Sequence, residues 1–384
     1  MRDAFLLDPE LIFLNHGSYG ACPREVFARY QAWQIEMERN PVEFLGRRSA
    51  ALLAQARGQL GQYLGARGED LVFLPNATTG VNTVAASLDL QPGDEVLSPD
   101  HEYGACDATW QQVCQRAGAH YRRVEVPLPF DRNCWTQRLM SAAGPRTRMI
   151  FASHISSTTA LIFPVAELCE QARRRGILTL IDGAHAPGQL ALDLHATSAD
   201  YYTGNCHKWM CAPKGAAFLH ARPEHQAQLQ ATVVSWGYVA GSSEHSFYDA
   251  YTGRSPIERR LQWQGTRDLA AFLSVPEAIA FQARNDWPSH QAHCHDRAIA
   301  ALHQASTRNG LAPIARDEDH AQMVPIPVRT NDADALRRHL FDQHRIEVPV
   351  TRHGAQSFVR VSVQAYNSAE DLNALQRALS AAGV

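Results

Sequence analysis

Between residues 71 and 182 short apolar runs alternate with stretches whose apolar residues recur at helical spacing. This alternation restricts the fold more than any other feature, because strands joined through helices run parallel and a parallel sheet must be covered on both faces. The runs are 71–74, 95–98, 121–126, 149–153 and 177–182. The segment 165–175 is amphipathic and ends at Gly176, a residue that takes the left-handed conformation of a helix C-terminal cap without penalty. Further short strands are expected at 199–203 and 216–220. Open sheets of this kind hold their ligands beyond the carboxyl ends of the strands, so Asp182, closing one of them, is a candidate from position alone.

After Gly265 the pattern changes to helical segments at 269–283 and 290–306, then strands at 323–328 and 358–363 separated by helices. The expected organisation is α/β: a large domain over 15–266 with a mostly parallel sheet, and a smaller α+β domain over 267–384 that also takes the N-terminal arm 1–14. A chain of 384 residues, 45% of them hydrophobic, suffices for both cores. A formal charge of -3 gives no long-range field for nucleic acid or an anionic membrane, so a small-molecule partner is expected. No stretch reaches the roughly 18 apolar residues of a spanning helix. Asp3, Asp8, Pro9 and Glu10 interrupt the one run that resembles a leader, and a cytoplasmic protein without a membrane partner is expected. The eight cysteines show no C-x-x-C pair and read as free thiols. His290, His293, Cys294 and His295 share one helical segment but form no closed ligand set, so no metal is expected.

Of 36 basic residues only Lys208 and Lys214 are lysines; the other 34 are arginines. Where so biased a chain keeps lysine, the position can require an amine that loses its proton and attacks a carbonyl, which guanidinium does not do. Ile181-Asp182-Gly183-Ala184-His185-Ala186-Pro187-Gly188 is followed by Asn205-Cys206-His207-Lys208-Trp209. An acid closing one strand and a lysine after the neighbouring strand can converge on one small ring. They suit a cofactor whose aldehyde needs an amine and whose pyridine nitrogen needs an anion, the arrangement that makes the ring an electron sink. Separately, Asp182 also fits a helix cap and Lys208 a surface lysine. The 73–82 segment reads as strand, turn and helix start, whose unpaired amides suit a phosphate. Arg360, inside the apolar strand 358–363, is costly to bury unless it meets an anion, and its fork matches a carboxylate.

These motifs, with Leu14-Asn15-His16-Gly17-Ser18-Tyr19-Gly20, Cys211-Ala212-Pro213-Lys214-Gly215 and Arg360-Val361-Ser362, resemble the fold type I pyridoxal-phosphate enzymes of aminotransferase class V, and within them the isopenicillin N epimerase-like group. The resemblance implies pyridoxal 5'-phosphate as cofactor, with Lys208 the Schiff-base lysine, Asp182 the partner of the ring nitrogen and His185 that of the ring hydroxyl. It also implies phosphate contacts from Ala77, Thr78 and His207, and a stacked side chain from His101 or Tyr103. Asn15 and Arg360 take the substrate carboxylate. Lys214 is then part of the following loop. The Gly265-Thr266 segment of such enzymes reaches the phosphate of a second subunit, so a homodimer with shared sites is implied, although Thr266 equally fits a helix cap.

Cysteine desulfurases of this class carry a cysteine on a loop before the arginine that matches Arg360; here the last cysteine is Cys294, and Ser157 stands where those enzymes often have asparagine. The expected activity is therefore epimerisation or racemisation at the α-carbon of an amino acid or aminoacyl group. Lys208 takes the proton, and His101 or Tyr103 returns one on the other face. A β-eliminating C–S lyase is the alternative, followed by an aminotransferase or a non-catalytic protein of this fold. No nucleotide-binding glycine motif and no nucleophile elbow supports a different enzyme class.

Overall fold

The computed structural model describes residues 1–239 and 249–384. Seven strands form the main sheet: β1 (Leu71–Leu74), β2 (Glu95–Pro99), β3 (His120–Val124), β4 (Thr147–Ser153), β5 (Leu178–Asp182), β6 (Tyr201–Asn205) and β7 (Ala217–Ala221), in the order β1-β7-β6-β5-β4-β2-β3. From β3 across to β6 every pairing is parallel, and β7 runs antiparallel to both β6 and β1. Helices Ala77–Ser87, Gly104–Ala117, Arg132–Ala142 and Val165–Arg174 make the crossovers that parallel pairing requires. β5 and β6 are buried almost throughout, which is why they read as continuous apolar runs rather than alternating ones. β3 stops at Val124, short of the expected 126, because the Val126 backbone is drawn away: its N–H donates to Asp100 and its carbonyl accepts from His101.

The smaller sheet joins β8 (Met323–Val328), β9 (Val350–His353) and β10 (Gln356–Ser362), all antiparallel. Helix Trp287–Asn309 lies on it and shares a core that includes Ala298, Leu302, Val324, Ile326, Val359 and Val361. The arm joins this part: Leu14 enters the same core, and Ile12–Phe13 pairs parallel with residues 346–347. β9 went unnoticed in the sequence because Thr351, Arg352 and His353 give it no apolar alternation.

Residues 269–283 depart from expectation in two ways. They form two helices, Ala270–Leu273 and Val275–Arg284, because Pro276 has no N–H to continue the first and instead occupies the opening turn of the second. Their apolar side chains Phe272, Val275, Ala278 and Phe281 pack into the core of the large sheet, Phe272 stacking on Phe73 of β1 at 5.2 Å between centroids. Trp287 packs into the same core, whereas Cys294 and Ala298 farther along its helix lie in the smaller one. Among the described residues no helix is long and apolar enough to cross a membrane, and all eight cysteines are free.

Candidate active site

The carboxyl ends of β1, β2, β4, β5 and β6 open onto one cavity of about 520 Å³. Asn76, Ala77 and Thr78 enter it after β1, Tyr103 after β2, Ser153 and Ser157 from the end of β4, Asp182 and His185 from β5, and His207 and Lys208 after β6. Arg360 reaches it from β10, and Gly17, Ser18 and Tyr19 from the arm. The arm approaches closely because Gly20 has φ of +69° and no side chain: a Cβ there would lie 2.2 Å from the His207 carbonyl oxygen. His16 fixes the same approach, its Nε2–H donating to the Lys208 carbonyl (3.0 Å) while Nδ1 accepts from the Tyr366 hydroxyl (3.0 Å).

The Lys208 amine is buried and gives up its proton far more readily than an ordinary lysine. Burial, reinforced by the nearby Arg360 charge, brings it down to about 7. Trp209 Nε1 can only donate, and it donates to His185 Nδ1 (3.3 Å), so the His185 proton sits on Nε2 and points at Lys208 Nζ, 3.1 Å away. An amine that accepts that hydrogen bond carries no charge. Burial keeps His185 well below the ordinary histidine range, in agreement with a neutral ring.

Asp182 is 4% exposed and makes no ion pair among the described residues; Oδ1 accepts from the Ala184 N–H (2.9 Å) and Oδ2 lies 3.7 Å from Cys106 Sγ. Burial raises its carboxyl above the usual range. A buried carboxylate without a cation, facing a cavity that also holds a neutral lysine, fits a protonated pyridine nitrogen on one side and an aldehyde on the other. The helix start fits the phosphate in part. The Ala77 N–H is taken by Asn205 Oδ1 (2.9 Å) and the Thr79 N–H by the Asn76 cap (2.8 Å), which leaves the Thr78 amide between them. His207 donates from Nδ1 to the Ala216 carbonyl (2.9 Å), so in its neutral ring Nε2 keeps a lone pair and needs a proton to hold an anion.

Arg360 is 4% exposed and meets no carboxylate among the described residues. Nη1 donates to the Ser157 carbonyl and to Ser157 Oγ (3.1 Å), Nη2 to Ser18 Oγ (3.1 Å) and weakly to Asn15 Oδ1 (3.5 Å), and Nε is buried without a partner. Asn15 thus stands behind Arg360 and does not line the cavity.

Of the two stacking candidates only Tyr103 lines the cavity. His101 is buried behind it, donating from Nε2 to the Val126 carbonyl (2.9 Å), bonded through Nδ1 to Thr159 Oγ1 (2.9 Å) and stacked on His353 at 3.8 Å. Thr266 is exposed and outside the cavity of its own chain. Lys214, taken from sequence as a loop residue, lines the cavity beside Gly215. The histidine segment does not converge: Cys294 is buried in the small core, while His295 bonds the Ala321 carbonyl. Of the 236–252 loop, residues 240–248 lie outside the described residues. Ser18, Asn205 and Trp209 were missed as site residues. No local signal marks the first two, whereas Trp209 adjoins the lysine.

Residues 12–375 match the family model described as aminotransferase class-V. Isopenicillin N epimerase of Streptomyces clavuligerus is 39% identical over 99% of this chain and 97% of its own. A probable chloroplastic L-cysteine desulfhydrase of Arabidopsis thaliana is 28% identical over 97% of this chain and 83% of its own. Among solved structures, a cystine C–S lyase in complex with cysteine persulfide superposes with a TM-score of 0.83 at 22% identity, covering 97% of this chain and 98% of that one, a likeness of fold.

Proposed function

The chain belongs to the aminotransferase class-V family, and from that premise we propose that it is a pyridoxal 5'-phosphate-dependent epimerase or racemase that inverts the α-carbon of an amino acid or aminoacyl substrate. The observation that carries the reading is one cavity holding a neutral buried lysine, a buried unpaired carboxylate and a buried arginine without an anion. The bound cofactor supplies the electron sink that acidifies the α C–H. Lys208 would hold it at the aldehyde and Asp182 at the ring nitrogen, with Thr78 at the phosphate. Arg360, a cavity-lining cation that meets no carboxylate among the described residues, binds the substrate carboxylate. That grip presents the α-hydrogen to Lys208 Nζ, which takes it as a neutral amine, and His185 holds the amine in place. Tyr103, which lines the same cavity as Lys208 and Arg360, is the donor for the other face. His101 is withdrawn from that role because both ring nitrogens are engaged in the wall. Thr266 completes the site of a second copy in a homodimer, and the large unit ends near residue 286.

The identity to an isopenicillin N epimerase makes isopenicillin N the first substrate to test, followed by free amino acids. Chiral chromatography of the recovered substrate decides the reaction: the epimer accumulates without keto acid. The desulfhydrase relatives favour β-elimination as the second reading, and release of keto acid and thiol at the rate of substrate loss, without epimer, establishes it instead.

A further inference from the structure

Behind the cavity wall lies a carboxyl that the reaction as described does not use. Glu102 is 5% exposed, precedes Tyr103 and makes no ion pair among the described residues. Its two oxygens are bound to one residue: Oε1 accepts from the Ser153 N–H (2.8 Å) and Oε2 lies 2.5 Å from Ser153 Oγ. Ser153 lines the cavity and is paired in register with Asp182 across β4 and β5. Cys106, on the helix that follows Glu102, contacts Asp182 Oδ2. Asp107, bonded by the Tyr121 hydroxyl (2.6 Å), is a third acid of this buried region, and Arg123, 3.7 Å from it, is exposed to solvent. Among the described residues the other cation near the acids is Lys208, whose amine burial brings down to about 7. Glu102 and Asp182 thus share a desolvated region with no positive charge of their own, and two adjacent carboxylates are not both ionised there.

Resting on the reading of Asp182 as partner of the ring nitrogen, we infer that Glu102 is the member of this pair that keeps the proton, and that as a neutral acid it lets Asp182 remain the anion the cofactor needs. The place of the two acids supports the assignment. Asp182 lines the cavity, where the ring nitrogen of the cofactor would meet it, whereas Glu102 lies outside the cavity and its oxygens meet only Ser153. Each acid has two donors, the Ser153 amide and hydroxyl for Glu102 and the Ala184 amide and Cys106 thiol for Asp182, so it is this placement and not the number of donors that distinguishes them. Burial raises Glu102 to about 8, with the neighbouring acids Asp182 and Asp107 adding to the shift. Glu102 is a positioning residue, acting through Ser153 and Asp182.

Infrared spectra of the full chain at neutral pH, with and without cofactor, test the inference independently of turnover. A protonated-carboxyl band is expected in both, shifted by carboxyl-¹³C glutamate labelling and not by labelled aspartate. Its absence, or a shift with aspartate, overturns the proposal without touching the assignment of the reaction. Glu102→Gln reproduces the donor and acceptor pattern of a protonated carboxyl, so it should keep the visible spectrum of the bound cofactor and abolish the spectral change expected of the wild type with a midpoint near pH 8. A Glu102→Gln spectrum that still titrates as the wild type does would likewise overturn it. Loss of cofactor colour in Lys214→Ala but not in Lys208→Ala would instead break the reading of the site on which the inference rests.

Discussion

Replacing Arg360 by lysine separates substrate anchoring from cofactor binding. Lysine keeps the positive charge but cannot present two parallel N–H groups to a carboxylate. Arg360 stays protonated at neutral pH even though burial lowers it to about 10, so the bonds at stake are charge-assisted. Losing one such bond costs about 1.5–3 kcal/mol, which weakens substrate binding roughly 10- to 150-fold at about 1.4 kcal/mol per tenfold. The hydroxyl partners of Arg360, Ser157 and Ser18, are neutral and within reach of an ammonium group, so the fold should tolerate the change. Spectral titration of the holoenzyme with a substrate amino acid reads the first affinity, and equilibrium dialysis of the cofactor the second. A rise in substrate Kd with cofactor Kd unchanged within about twofold is expected. Equal losses of both would show that Arg360 supports the fold and refute the reasoning.

Lys208→Ala should remove the visible absorbance of the purified protein and Lys214→Ala should keep it, since only Lys208 Nζ is paired with His185. In the cofactor-free chain the folded amine titrates near 7 against 10.5 for an ordinary lysine. The unfolded chain then holds the extra proton between those values, so stability should rise with pH across that window, and Lys208→Met should flatten the rise in thermal melts. Sedimentation should give a homodimer in which Thr266→Ala weakens cofactor binding, whereas a fully active monomer would contradict the shared site.

The parts of the site legible in sequence were those whose residue type is unusual for its setting: one of two lysines in an arginine-rich chain, an acid closing a buried strand, an arginine inside an apolar one. Their convergence followed from strand ends, because the parallel sheet was readable from its crossovers. The choice between His101 and Tyr103 was not readable. They are two residues apart, and the contacts that draw His101 into the wall come from Val126 and Thr159, 25 and 58 residues away. Glu102 escaped for the same reason, its partner Ser153 being 51 residues distant. Helical spacing shows that residues 269–283 have an apolar face but not which core that face meets.

Deuterium incorporation tests inversion at the α-carbon most directly. In deuterated water the enzyme should return an accepted substrate carrying deuterium at the α-carbon, in both configurations. Tyr103→Phe should slow the inverted product selectively while exchange with retention, served by Lys208, continues; His101→Ala should not show that split. Substrate recovered without α-deuterium, or deuterium confined to a keto acid formed in step with thiol release, would contradict the account.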